Sequence, residues 1–260
     1  MRIVVVGGQG DLGARVVERA LAAGHDVASA SRRTGVDLRT GAGVTQALAG
    51  VDAVVLCAMN PTRASAVELE GTRRILTALD AGSGSPAHVV YISIVGCDVP
   101  GYPYYGVKHR TEQVLEAWGG PTTVVRATQF HALAAFFAGF RVGRLGARVG
   151  DMAIQPVDIE FVAQRLAEVA SGPAPQRFSR TTDLAGPDLL GPQEIAAMVA
   201  AHDGRRPPHL VRIPPVGAAM RSFSDRSNVP IGAADIGGAR FVDWLAGQPR
   251  PLPRGMHHAR

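Results

Sequence analysis

The chain has 260 residues, a formal net charge of +5, 46% apolar residues and 19% charged ones, the balance of an ordinary soluble globular protein and not of a disordered or fibrous one. Its cations are scattered arginines with no long basic run and no interleaved aromatics, which argues against nucleic acid as a partner. No apolar run approaches the ~20 residues a membrane span needs, and the two cysteines and the histidines show no metal-ligand spacing, so neither a membrane nor a metal is expected.

Met1-Arg2 leads straight into Ile3-Val4-Val5-Val6, with no pattern of a secretory leader. Cys57 and Cys97 each fall in or beside an apolar strand-like run, which fits buried thiols in a reducing compartment. The expected location is therefore the cytoplasm. The first half alternates short valine-rich runs with helical stretches, which predicts an α/β fold with a parallel sheet covered by helices. Strands are expected at Arg2–Val6, Asp26–Ala30, Ala53–Cys57, His88–Ile92 and Thr122–Arg126. Helices are expected at Leu12–Ala23, Ser65–Ala81 and Tyr104–Trp118, with a weaker one at Thr45–Ala49. Beyond Arg126 the rhythm changes. An apolar, aromatic patch runs from Phe130 to Phe140, followed by a helix over Ile159–Ala170 and a short strand at Asp183–Ala185. A proline-led helix is expected over Pro192–Ala201, residues 203–235 read as irregular, and a last short helix is expected over Ala239–Leu245.

The first expected strand is followed at once by Gly7-Gly8-Gln9-Gly10-Asp11-Leu12-Gly13 and then a helix. Glycines at 7, 10 and 13 let a backbone approach a pyrophosphate, and the helix N-terminus that follows offers free amides and the positive end of its dipole. A lone glycine motif says little, but strand before and helix after at the head of a βαβ run supply the required context. Where a dinucleotide binder that prefers NAD carries an acid for the ribose 2′-hydroxyl, this chain reads Ser29-Ala30-Ser31-Arg32-Arg33. Arginine there suits a 2′-phosphate, so the expected cofactor is NADP (NADPH), with Arg32 and then Arg33 as the clamp and Ser31 as a hydrogen-bond donor. Asp37-Leu38 would lie near the adenine, although Asp37 reads equally well as a plain turn residue.

Lys108 is the one lysine of the chain, and it stands four residues after Tyr104. On a helix, that spacing places both on one face. A fixed ammonium beside a phenol lowers its pKa, which would fit Tyr104 for proton transfer to or from a carbonyl. Ser93, at the carboxyl end of the His88–Ile92 strand, would orient that carbonyl. An alternative register with Tyr105 is weaker, because its +4 position is His109.

The glycine turn, Ser93 and Tyr104-x-x-x-Lys108 resemble the short-chain dehydrogenase/reductase superfamily. Val89-Val90-Tyr91-Ile92-Ser93-Ile94-Val95-Gly96 and Val124-Val125-Arg126-Ala127-Thr128-Gln129-Phe130-His131 are similar to its atypical and extended NmrA-like NAD(P)H-binding branch. Pro156-Val157-Asp158 and Ala185-Gly186-Pro187 are further echoes. The resemblance weakens after about residue 205, and Val6 replaces a customary threonine. It implies a Rossmann-type doubly wound parallel sheet over residues 1–128, with residues 156–172 returning to it, and a smaller substrate-binding part over 129–260. The expected cofactor contacts are Gly7, Gly10, Asp11, Leu12, Gly13, Ser31, Arg32, Arg33, Asp37, Leu38, Cys57, Ala58, Lys108 and Gln129. Ser93, Tyr104 and Lys108 are the expected catalytic residues, and Asn60, Val95, Phe130, His131 and Phe137 the substrate pocket. The function this implies is an NADP-dependent oxidoreductase for a small carbonyl or quinone, working as a monomer or homodimer. Two alternatives are a non-catalytic NADP-sensing regulator of the NmrA-like kind and, further off, a sugar-nucleotide epimerase or dehydratase.

Overall fold

A computed structural model describes residues 1–82, 86–138, 141–142 and 145–253. Phe140 and the His257-His258 pair lie outside them. The chain divides into two compact units.

The first unit comprises Met1–Ser93, Pro103–Arg126 and Val162–Thr181. In chain order it carries β1 (Arg2–Val6), α1 (Asp11–Ala22), β2 (Asp26–Ala30), α2 (Val44–Ala47), β3 (Ala53–Leu56) and α3 (Glu70–Asp80). β4 (His88–Ile94), α4 (Pro103–Trp118) and β5 (Thr122–Ala127) follow. β1 pairs in parallel with β2 on one side and β3 on the other, β3 pairs in parallel with β4, and the strand order runs β2-β1-β3-β4-β5. The strands match the expected ones to within two residues. β1, β3 and β4 are near-continuous apolar runs because helices cover both faces of a parallel sheet. Val4, Val54 and Val89 are fully buried in a cluster with Ile75, Leu76 and Leu115, and each such side chain contributes roughly 1.5–3 kcal/mol.

α1 turns Leu12, Gly13, Val16 and Ala20 inward, the one-face spacing of an amphipathic helix, and Gly24 ends it in the left-handed region at φ +83°. The helix expected over Ser65–Ala81 is two pieces. Ser65–Leu69 is a π-helical turn, and α3 begins at Glu70. Because β1 has β2 on one side and β3 on the other, the chain reverses its direction of travel across the sheet there. In open parallel sheets the crevice outside the strand ends at such a point takes the ligand.

The second unit comprises Ile94–Tyr102, Ala127–Phe161 and Thr182–Arg260. Its elements are α5 (His131–Ala138), β6 (Arg141–Val142), β7 (Leu145–Val149), β9 (Asp183–Ala185), α7 (Pro192–His202), β10 (His209–Ile213), α8 (Gly217–Ser224), β11 (Ala234–Ile236) and α9 (Phe241–Ala246). The intervening α6 (Ile159–Ser171) and β8 (Phe178–Arg180) belong mainly to the first unit, where β8 pairs in parallel with β5. Ala134, Ile154, Leu190, Ile195, Val199, Phe241 and Leu245 form this unit's core.

Residues 203–235 are not irregular as the proline content suggests. Pro208 and Pro214 flank β10 and do not interrupt it, and its in-register partner is β7. The five residues between those prolines show no clean alternation of burial, so no period-2 signal marks the strand.

Candidate functional site

The turn between β1 and α1 closes on itself through backbone bonds. Gly7 N–H donates to Ala30 O at 2.8 Å, and Gly10 N–H donates to Gly7 O at 2.9 Å. Three of its glycines are required by contact. Gly7 has φ +81°, and a Cβ there would sit 2.6 Å from Ala58 N. A Cβ on Gly13 would lie 2.3 Å from Gly7 O, and one on Gly8 would lie 2.6 Å from Ser29 Oγ. Gly10 is different: a Cβ there meets only Gly7 O, at 3.3 Å. Gly10 is the N-cap of α1 and brings no side-chain hydrogen bond to the first-turn amides. The outer lip of the turn is thus bare backbone at the positive end of a helix, a cradle that fits a pyrophosphate. Asp11 stands in the first turn, and Leu12 is buried beneath it. Cys57 and Ala58, at the end of β3, back the turn. Burial pushes the Cys57 thiol up to about 12 against the nearby Lys108 charge, so it is a packing residue and not a reactive one.

At the end of β2, Arg32–Thr34 form a short 3-10 turn, fastened by Thr34 Oγ1 accepting from Ser31 N–H at 2.8 Å. Arg32 and Arg33 are exposed and have no ion pair with a described residue. The expected pair beyond them is committed inward. Arg39 holds the Asp37 carboxylate through bonds of 2.7, 2.9 and 3.1 Å, and these hydrogen bonds keep its pKa down at about 2. The Leu38 side chain joins the apolar core, and its carbonyl accepts from Arg74 at 3.1 Å.

Tyr104 and Lys108 share a face of α4 as expected, and Lys108 lowers the Tyr104 pKa as expected, but burial raises it by more. Lys108 is 1% exposed. Its Nζ lies 2.8 Å from Glu68 Oε2, donates to Ile92 O at 3.0 Å, and stands 4.8 Å from the centre of the Tyr91 ring and 5.8 Å from that of Tyr104. The π-helical turn aims the Glu68 carboxylate at the ammonium. Burial is the largest influence on Tyr104 and raises its pKa well above the ordinary phenol value. Lys108 pulls the other way, and Glu68 and Tyr91 add to the rise. The lone ammonium therefore pulls the phenol toward acidity as its spacing suggests, but burial, with Glu68 and Tyr91 behind it, outweighs that pull. Burial opposes the charge on Lys108, but the neighbouring carboxylate and phenol outweigh it and raise its pKa. The Tyr104 hydroxyl is buried and hydrogen-bonded to Glu68. Tyr105 is core, and Tyr102 is exposed.

Ser93 is not free to orient a carbonyl in this structure. Its hydroxyl donates to Glu112, a fully buried carboxylate that also binds Arg126 at 2.9 and 2.7 Å and Arg180 at 2.9 Å. Burial works to raise the Glu112 pKa, but Arg126, Ser93 and Arg180 together hold it below the usual carboxylate range.

The expected pocket residues fall in both units. Asn60 Oδ1 accepts from Thr62 Oγ1 at 2.9 Å and from Arg63 N–H at 3.1 Å, closing its own turn. In the second unit Val95 is buried, and Phe130 is half-buried beside a bridge to Val157. His131 is 1% exposed, its Nε2 lies 2.9 Å from Ala239 O, and its ring contacts Phe241 and Trp244, so it packs in this unit's interior. Gln129 Oε1 accepts from Asn228 Nδ2 at 3.2 Å. Phe137 is half-exposed against Phe136.

Two acids escaped the sequence reading. Glu68 falls on the stripe of Thr72, Ile75 and Leu76, the buried face of α3, and an acid in an apolar stripe is the signal that could have found it. Glu112 lies four residues after Lys108 on the inner face of α4.

A glycine turn at the point where the strand order of a parallel sheet reverses defines a Rossmann-type α/β fold. Residues 3–94 match the model of the NAD dependent epimerase/dehydratase family. Among solved structures the chain is similar to three proteins at the level of fold. One is the Escherichia coli NADPH-dependent quinone oxidoreductase QOR2 complexed with NADPH, at 20% identity over 82% of this chain and 78% of that one, TM-score 0.61. Another is the Thermus thermophilus UDP-glucose 4-epimerase complex with NAD, at 19% identity over 89% and 95%, TM-score 0.63. The third is the human epimerase family protein SDR39U1 with NADPH, at 21% identity over 82% and 83%, TM-score 0.61. No curated protein matches the chain. No helix among the described residues is long and apolar enough to cross a membrane.

Proposed function

We propose that the protein is an NADP-dependent oxidoreductase whose acceptor is a small quinone-type molecule in preference to a simple ketone. The observation that carries the cofactor is the pairing of the bare glycine cradle with Arg32 and Arg33, which stand in solvent with no ion-pair partner among the described residues. A 2′-phosphate is the ligand chemistry those two guanidiniums suit. Bound there, the cofactor would supply a hydride.

The acceptor follows from Tyr104. A ketone that gains a hydride becomes a localised alkoxide and needs a strong proton donor at its oxygen. A quinone becomes a delocalised phenolate-type anion that makes far less demand. A phenol held neutral beside a charge-balanced Lys108–Glu68 pair can donate a hydrogen bond, but it is poorly set to cycle a proton. The same point weighs against a sugar-nucleotide epimerase, although the family match over residues 3–94 and the Thermus relative favour that reading. An epimerase needs a base to take a proton from a sugar hydroxyl, and a phenol whose pKa is raised is a phenol and not a base at neutral pH.

The test is a titration of the purified protein with NADPH and NADH, followed by NADPH oxidation against matched quinones, ketones and aldehydes. Tighter NADPH binding and turnover with quinones support the proposal. Tightly retained NAD with isomerisation of a sugar nucleotide overturns it. Tight NADPH binding with no turnover on any acceptor points to a sensor.

A further inference from the structure

We infer that Glu68 is a positioning residue that offsets the Lys108 charge beside Tyr104, so that this carboxylate, acting together with burial, sets whether the tyrosine–lysine pair can do acid–base work. This deepens the oxidoreductase reading and rests on it for its bearing on turnover, but the electrostatic claim stands on geometry of the first unit alone.

Three observations converge. The Lys108 Nζ is 2.8 Å from Glu68 Oε2, and both side chains are 1% exposed, so no solvent screens the pair. Glu68 is delivered by a π-helical turn, Ser65–Leu69, at the head of α3. An extra residue wound into a helix is uncommon and is concentrated at functional positions, and here it breaks the register at the acid. Glu68 is hydrogen-bonded to both members of the pair, Lys108 and Tyr104, and all three side chains are enclosed together.

The groups facing Tyr104 and Lys108 come from four elements: Glu68 from the π-helical turn, Tyr91 from β4, the Cys57 thiol from the end of β3, and the two residues themselves from α4. Glu68 is the one carboxylate among them. Replacing it by an amide would remove the carboxylate that opposes the Lys108 pull on Tyr104, leaving burial and Tyr91 as the opposing influences.

The experiment is an ultraviolet difference titration of phenolate absorbance, wild type minus Tyr104→Phe, repeated in a Glu68→Gln background. In the wild-type background no Tyr104 phenolate should appear up to about pH 11, past the ordinary tyrosine value near ~10. In the Glu68→Gln background it should appear about 2 units or more lower, the scale an unbalanced opposite charge produces at this range. Glu68→Asp, which keeps the charge, should hold Tyr104 close to wild type. An unchanged titration in Glu68→Gln overturns the inference. So does a wild-type difference titration that already shows Tyr104 ionising below about pH 9, an outcome that needs no Glu68 variant and decides the matter even if Glu68→Gln does not fold. Where NADPH oxidation is measurable, Glu68→Gln should gain an alkaline pH limb in kcat that Tyr104→Phe abolishes. If no acceptor is ever turned over, the oxidoreductase reading fails while the titration still tests Glu68.

Discussion

The dinucleotide cradle and the Tyr104–Lys108 cluster, both carried by the first unit, are built in opposite ways. Around the cradle, side chains are removed or left in water. Gly7, Gly8 and Gly13 are bare because any Cβ would strike a neighbour, and Arg32 and Arg33 stand exposed. Around Lys108 every charge is already answered by the protein itself: Glu68 meets the ammonium, and Ser93, Arg126 and Arg180 converge on Glu112. The cradle is a site prepared for something external. The cluster is a buried electrostatic structure whose polar members are bonded to one another.

The comparison is broken most directly at Lys108. Removing one partner of a buried pair leaves an uncompensated charge, so Lys108→Met should cost about 3–5 kcal/mol of unfolding free energy. The double variant Glu68→Leu/Lys108→Met should recover most of that loss, because a well-packed apolar pair of similar volume is often neutral. Chemical denaturation of wild type and the two variants measures both effects. If Lys108→Met is nearly silent, the pair is not the closed unit described above.

At the cradle the contrast is between two glycines of one turn. Gly13→Ala forces a Cβ to within 2.3 Å of a backbone carbonyl and should abolish dinucleotide binding together with a large loss of melting temperature. Gly10→Ala meets that same carbonyl only at 3.3 Å, so it should cost at most about 1 kcal/mol of stability. Its effect should fall on affinity for the pyrophosphate, seen as weaker binding of NADPH and NADH alike. Equal melting losses in the two variants would mean that Gly10 serves packing and not a ligand.

The difference between these two regions is also a difference in what a sequence discloses. β1, the glycines and α1 are contiguous, so strand, turn and helix are legible from local pattern alone. Tyr104 and Lys108 were legible as a pair for the same reason, since a helix fixes their spacing. Their state was not, because it is set by Glu68, far upstream in another element, and by the loss of solvent around all three. Ser93 was hidden likewise: its partner Glu112 lies on α4, and the arginines that keep Glu112 charged come from β5 and β8. The surroundings of His131 were hidden in the same way. A histidine beside an aromatic patch suggested a pocket, yet the patch includes Phe241 and Trp244 from the far end of the chain, which enclose it.

Exposure sharpens the comparison at the arginines. Because Arg32 and Arg33 are exposed and Arg32 acts on the protein only through a minor attraction to Asp37, Arg32→Ser should leave the melting temperature unchanged within error. NADPH affinity should fall about 10- to 100-fold, the worth of one or two charge-assisted hydrogen bonds, while NADH affinity stays constant. A matching fall for NADH would place the residue elsewhere on the dinucleotide.

The smallest effect belongs to Glu112 and is read from pH. Its pKa is depressed in the folded state, so the stability it contributes is fully present above its ordinary value of 4.5 and is lost as pH falls from there through the depressed value. The wild-type melting temperature should therefore drop on acidification below about pH 5, and part of that slope should be absent in Glu112→Gln. The amide can still accept from Ser93 and Arg126, so the variant should fold, less stable than wild type near neutrality and converging on it at low pH. Parallel curves for the two proteins would mean that Arg126 and Arg180 stabilise the cluster through geometry that an amide reproduces. The charge on Glu112 would then be incidental, unlike that on Glu68.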